Sequence, residues 1–406
     1  MSSWPRENNN ERMAKLALFI ISPFIAFLYS LKNMKSKSSY IVFFLSSILF
    51  GLSFTVPSGK TAENMSDGAS YRLNFELYRN INYSEFIEGF KEYITFKDGS
   101  VKDYYFDTIA FITSRFTDNY HVLFMFFAII FAFFSLKSFK FLTQEYNFSF
   151  SLASFILAYL FMINQIFNIN GMRFWTAAWV GVYAVFQIFK NGNHRYYWLA
   201  VTTPFIHASF WVYIGILIIA SIFKRYEKFW GVLFVVSFFI STISIELVRN
   251  IGNLLPPFLE DMVQSYTNEE YIIQKEQEKG FISLFFSYAV IIYINVLVLL
   301  FIRNAKAIKD NNKSKSLYLF LLVYMTFVNF SMPIPSLGGR FIILSYPIIA
   351  YIWLTNFKDR KYQKILYVMP FVFLFQFYMQ FNLYKLVTEP YFYFTSPFYL
   401  IYRYLF

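Results

Sequence analysis

A chain of 406 residues that is 57% hydrophobic and only 15% charged lacks the balance of a soluble protein, and its mean hydropathy of +0.43 points to a polytopic membrane protein. The absence of cysteine excludes a disulfide framework, a thiolate metal site, a cysteine nucleophile and lipidation on cysteine. A net charge of +12 could mark a nucleic-acid binder, so the placement of the basic residues decides its meaning.

In chain order, apolar runs long enough to cross the hydrocarbon layer recur at 14–31, 40–56, 119–136, 149–167, 172–189, 229–247, 281–302, 317–334, 341–355 and 365–387, with a further stretch at 196–223. None alternates with period two as a barrel strand would. The expected fold is an all-α polytopic membrane bundle of about 11–12 transmembrane helices, a single unit over residues 1–406. The first run is followed directly by Lys32 and has no small-residue cleavage site, so it reads as retained and not as a signal peptide. Two long polar segments interrupt the pattern. Residues 57–118 form an expected outer loop whose end, Tyr104 to Phe116, reads as a half-buried amphipathic helix; in residues 248–280 six acids from Glu260 to Glu278 follow Pro256-Pro257, as in an acidic surface helix or lid.

Short basic connections set the orientation, because Lys and Arg stay cytoplasmic during insertion. Six qualify: Lys32/Lys35/Lys37, Lys137/Lys140, Lys190/Arg195, Lys224/Arg225/Lys228, Arg303 to Lys315, and Lys358 to Lys364. Nineteen basic residues in them face only Glu145, Glu227, Asp310 and Asp359, so the basic excess is a topology signal and no nucleic acid is expected. This assignment requires 196–223 to leave and return on one side. Thr202, Thr203 and Pro204 interrupt that run, which fits a broken helical hairpin or re-entrant pair whose arms of about 13 residues reach roughly 20 Å.

Ionisable groups at membrane depth are costly and mark function. Arg173 opens the run at 172–189, with Ala177 and Gly181 following at i+4 and i+8; that small-residue stripe favours close packing and turns the arginine toward the bundle, although an interfacial arginine could also snorkel to lipid head groups. Arg340 follows Gly338 and Gly339 at the start of another helix. Both arginines would lie beside positive helix N-termini, and the glycine pair would leave backbone N–H groups open to an anion. A guanidinium fork suits phosphate better than a lysine does. His207, within TTPFIHASFW, is the only histidine deep in an apolar run and is a candidate general base; its bland alternative is a ring bonded to a neighbouring carbonyl. Asp67, Arg72, Asp103 and Asp107 lie in the first outer segment, solvated loop residues by default and the best polar candidates on that side. Three scattered histidines give no metal site.

Two arginines and a histidine facing outward suit a substrate with a lipid tail and an anionic head. The stretch NQIFNINGMRFWTAAWVGVYAVFQIFKNGNHRYYWLAVTTPFIHASFWVYIGILI resembles the central signature of the EpsG-type branch of Wzy polysaccharide polymerases: an Asn-x-x-Arg helix start, a short basic turn, then a Phe-x-His-Ala/Ser-Ser-like helix. Asn170, Arg173, His207, Ala208 and Ser209 occupy the matching places. Arg340 matches a later arginine ahead of a span, and Asp103 or Asp107 an acidic amphipathic segment. Phe174 stands where the family often has Gln.

The resemblance implies transfer of a growing glycan from undecaprenyl diphosphate to the non-reducing end of the next lipid-linked repeat, at the outer face of a bacterial plasma membrane. Arg173 and Arg340 would bind the diphosphate, His207 would orient or deprotonate the attacking hydroxyl, and Asn170, Asp67, Arg72, Asp103 and Asp107 would hold substrate. No cofactor and no metal are implied. The implied partners are the undecaprenyl-diphosphate-linked oligosaccharide and membrane lipids, with a chain-length regulator and a flippase of the same pathway as further candidates. A lipid-linked glycan ligase would share the chemistry. A flippase or transporter of the lipid-linked oligosaccharide would need charges through a central cavity and, often, internal repeats, and a membrane O-acyltransferase would need His207 open to the cytoplasm.

Overall fold

The computed structural model describes residues 4–56, 67–95, 97, 101–223, 226–239, 250, 260, 264, 267–268, 280–334 and 337–406. The acidic segment 248–280, isolated residues apart, and the second half of the expected span 229–247 lie outside the described residues. Among the described residues every regular element is helical.

The first apolar run is divided into α1 (Asn9–Ile21) and α2 (Pro23–Ser30). Ser22 is extended and its hydroxyl accepts from the Ile25 N–H to cap α2, while Pro23 cannot donate to α1. α3 (Lys37–Leu52) is capped by Ser36. The long polar segment folds into α4 (Asp67–Tyr78), α5 (Tyr83–Ile94), which starts with an Asn82/Glu85 capping box, and α6 (Tyr105–Ser114), which buries Phe106, Ala110, Phe111 and Thr113. α7 (Tyr120–Thr143) lies between α3 and α9 (Met172–Val185). The close approach of α3 to α7 depends on Gly51, where a Cβ would come within 2.3 Å of the Ala128 Cβ. α8 (Leu152–Phe161) is separated from α9 by a 3-10 turn at Ile166–Gly171, and α9 runs on through a π turn to Lys190.

The stretch 196–223 doubles back. It comprises α10 (Tyr197–Val201), α11 (Thr203–Ile206) and α12 (Phe210–Phe223), and its two ends meet where the Tyr197 and Ser221 hydroxyls share a hydrogen bond of 2.6 Å. His207 leaves the helical region at φ −155° and ψ 122°, so the break falls at the histidine itself, three residues beyond Pro204. There follow α13 (Glu227–Val236), α14 (Phe281–Arg303), α15 (Ala305–Lys309), α16 (Asn312–Phe330), α17 (Gly338–Asn356), α18 (Arg360–Val372), α19 (Leu374–Val387) and α20 (Pro397–Leu405).

Among the described residues four helical stretches, α7, the Leu152–Lys190 run, α14 and α17, are long and apolar enough to cross a membrane; α18 with α19, bent by 46°, would make a fifth. The protein is an all-α polytopic membrane protein. At the other expected positions the helices are shorter or interrupted, as in α3 and α12, or the run leaves the described residues, while α16 is as long as α17 but opens on the polar stretch from Asn312 to Ser316. α17 is the most enclosed, with 78% of its apolar window buried, and packs on α16, α8, α7 and α9.

α9 and α17 carry one polar cluster at each end. At their C-terminal ends the buried Glu145 carboxylate, just past α7, accepts from Lys313 at 2.9 Å and from the Tyr351 hydroxyl at 3.0 Å, and pairs with Lys190 at 3.2 Å. One carboxylate thereby ties together α7, α9, α16 and α17. Burial opposes its ionisation, but Lys313, Lys190 and Tyr351 outweigh burial and hold the carboxyl below the usual carboxylate range. A carboxyl depressed in the folded state stabilises above its ordinary value and stops doing so as pH falls. Glu145→Gln is therefore expected to cost about 3–5 kcal/mol at neutral pH by leaving Lys190 unpaired, and thermal unfolding of the purified protein should show the gap from wild type closing below about pH 4.

Candidate functional site

The opposite, N-terminal ends of α9 and α17 bear Arg173 and Arg340. The two clusters on α9 are 17 residues apart, which is roughly 26 Å along a helix. Arg173 turns into the protein because Ala177 and Gly181 below it allow α12 to come close: a Cβ at Gly181 would stand 3.1 Å from the Tyr213 ring, and the Tyr213 hydroxyl donates to the Gly181 carbonyl at 2.8 Å. Its guanidinium, about a third exposed, donates through Nε to the Tyr71 hydroxyl at 3.1 Å and through one terminal nitrogen to both Asp103 oxygens at 3.3 and 3.2 Å. Tyr71 also presents its ring to the cation at 5.6 Å.

Asp103 is buried, with 4% of its side chain exposed. Burial pushes its carboxyl up to about 6; Arg173 opposes that rise, the neighbouring Asp107 adds to it, and the Ala208 backbone N–H, which bonds the carboxylate, opposes it too. The loop bearing Asp103 is pinned to the hairpin by the Tyr104 N–H donating to the Phe205 carbonyl at 3.1 Å. One carboxylate therefore touches both the arginine of α9 and the residue next to His207. Asp107 bonds the Tyr78 hydroxyl, and its carboxyl is raised by burial.

His207 sits at the break between α11 and α12. Its Nδ1 accepts the Ser209 backbone N–H at 3.2 Å and lies 2.8 Å from the Ser209 hydroxyl. The ring meets Phe174 edge to face at 5.3 Å, and the Arg340 guanidinium lies 5.7 Å from the same Phe174 ring. Both Arg173 and Arg340 act electrostatically on His207. Phe174, buried at 4% exposure, is the apolar spacer between the histidine and the second arginine.

Asn170 accepts the Gly68 N–H at 3.2 Å at the start of α4, and the Asp67 carboxylate lies beside Gly171, 3.5 Å from where a Cβ would stand. The structure thus gathers Asp67, Asn170, Asp103, Asp107, Arg173, His207 and Arg340 at one end of the bundle. Arg72 turns elsewhere, donating to the Val56 carbonyl at 3.0 Å and stacking on Tyr120 at 4.2 Å. The expected pair of open glycine amides is reduced, because the Gly338 N–H donates to the Ser331 carbonyl at 3.2 Å. That glycine is required for packing: a Cβ there would stand 2.6 Å from the Met332 backbone. Among the described residues no group of three or more His, Asp or Glu could hold a metal ion.

Tyr71, Phe174 and Ser209 are site residues to which the sequence reading gives no role. A signal for Tyr71 exists: Asp67 and Tyr71 are four apart and share one face of α4, whereas Arg72 is turned about 100° away.

A profile of the EpsG family matches residues 45–396, nearly the whole chain. The protein is a member of the EpsG family, a group associated with polysaccharide-polymerase-like glycosyl transfer in membranes. Comparison with curated proteins and with solved structures gave no match.

Protonation of Asp103 weakens its hold on Arg173, and its carboxyl titrates near 6. Activity should therefore fall with an acid limb near pH 6, and Asp103→Asn, which fixes the neutral form, should lower activity throughout and flatten that limb in the pH–rate profile.

Proposed function

We propose that this protein polymerises a polysaccharide by transferring the growing glycan from undecaprenyl diphosphate to the non-reducing end of a lipid-linked repeat unit, at the outer face of the bacterial plasma membrane. The observation that carries this reading is that Asp103 links Arg173 to the backbone beside His207 while His207 and Arg340 both pack on Phe174, at the end of the bundle opposite the lysine-rich Glu145 cluster. The positive-inside rule makes the lysine-rich end cytoplasmic, which turns the arginine end outward.

In this reaction a hydroxyl oxygen of the acceptor sugar attacks the anomeric carbon of the donor. The bond from that carbon to the diphosphate breaks, its electron pair stays on the diphosphate oxygen, and the hydroxyl proton leaves to a base. Two guanidiniums held beside helix N-termini suit the charge that grows on the leaving group, and fixed donors aimed at developing charge are commonly the largest catalytic contribution. Diphosphate needs no acid to depart. Asp103 would act by positioning Arg173, while Asn170, Asp67 and Asp107 would line the acceptor side; a chain-length regulator and a flippase of the same pathway would be its partners. Arg72, bonded to Val56 and stacked on Tyr120, would support the fold of the outer segment.

Reconstituted protein given one lipid-linked oligosaccharide repeat should yield a ladder of lengthened lipid-linked glycans on a gel. Arg173→Ala or Arg340→Ala should slow lengthening about 100-fold or more, with Lys at either place restoring only part of the rate. Movement of the lipid across the vesicle membrane without lengthening would show a transporter instead.

A further inference from the structure

We propose that His207 serves as a hydrogen-bond donor through Nε2–H to the bound diphosphate, and that it is not the base that deprotonates the acceptor. This rests on the polymerase reading for the identity of the anion, but the ring's proton position stands on its own geometry.

The ring nitrogen Nδ1 has one in-plane site, holding either a lone pair or a proton. Here the Ser209 backbone N–H points into that site at 3.2 Å. A backbone amide can only donate, so Nδ1 must carry its lone pair, and in that state the Ser209 hydroxyl at 2.8 Å takes the donor role toward it. A protonated Nδ1 would set two N–H groups head to head. An imidazole with a bare Nδ1 and two nitrogens to share one proton carries that proton on Nε2. A ring in this state has no lone pair facing outward with which to accept a proton.

The backbone that enforces this is itself fixed. The helix break at His207 is held by the His207 N–H donating to the Thr203 carbonyl at 3.0 Å and by the Phe210 N–H donating to the His207 carbonyl at 3.0 Å. The Ala208 N–H is bonded to Asp103, and Phe174 packs on the ring. Among the described residues the charged groups facing this turn are Arg173, Arg340 and Asp103. An anion drawn between the two arginines meets Nε2–H as a third, neutral donor. During transfer the electron pair of the broken bond settles on the diphosphate oxygen, where Nε2–H adds to the guanidiniums; the acceptor's hydroxyl proton goes to a carboxylate or to water.

The test uses the full-length protein in lipid nanodiscs, labelled with 15N-histidine. The chain has three histidines, so comparison with His207→Gln assigns the His207 signals. Wild type should show a protonated Nε2 and a bare Nδ1 without substrate, and Ser209→Ala should keep that pattern because the backbone donor remains. A proton on Nδ1 would overturn the proposal whether or not the protein polymerises anything. In the lengthening assay, His207→Gln, whose side-chain amide can donate but cannot act as a base, should retain activity within about tenfold of wild type, while His207→Ala should lose about 100-fold. Equal loss in both variants, with wild-type melting behaviour, would also overturn it.

Discussion

The ion pair between Arg173 and Asp103 is the constraint around which the candidate site is arranged. A carboxylate with 4% of its side chain exposed is costly to ionise unless it is paired, and the pairing fixes three elements at once: the start of α9, the loop ahead of α6, and the turn at His207, whose Ala208 N–H bonds the same carboxylate. The price falls on the carboxylate, whose titration is drawn up to about 6. Arg173 keeps a terminal nitrogen and about a third of its surface for an incoming anion. An arginine whose direction is already fixed loses little freedom when it binds a phosphate.

The two ends of the bundle use buried charge differently. At the Glu145 end one carboxylate is shared by Lys190 and Lys313 and accepts from Tyr351, so each of these two ammonium groups has an anionic partner within the protein. At the Arg173 end one arginine is left without a carboxylate partner among the described residues. Asp103 answers one guanidinium, Arg340 has only the Phe174 face as a neighbour among the described contacts, and the histidine between them presents a neutral ring. An arginine left unpaired at a helix end is what an anionic ligand completes, and the rigid helices α9 and α17 hold the two arginines at a fixed spacing.

The membrane class and the helical fold were legible because hydropathy is read residue by residue and needs no partner. The inward turn of Arg173 was legible too, since Ala177 and Gly181 lie on its own helix. The doubling back of 196–223 followed from the basic residues that flank it, and Tyr197 meeting Ser221 shows how it closes. What stayed hidden depends on distant partners. Asp103 and Tyr71 lie 70 and 102 residues from Arg173, and the spacing of Tyr71 from Asp67 places it on a face of α4 without tying it to that arginine. Arg72 and Tyr71 are neighbours in sequence but point to different places because α4 had to be recognised before its faces could be told apart. Gly338 read as an open amide because its acceptor, Ser331, is brought back by a turn. Lys15 is another such case: a lysine in the first apolar run that is 1% exposed, held by Glu7, Glu11 and Ser36.

The most direct measurement of the central claim is the affinity of the detergent-solubilised protein for undecaprenyl diphosphate, compared among wild type, Arg173→Gln, Arg340→Gln and the double variant. The account predicts at least about tenfold weaker binding for each single variant, as expected when a charge-assisted phosphate contact is lost, and a further loss in the double. Unchanged affinity in both single variants would mean that the diphosphate binds elsewhere and would contradict the account.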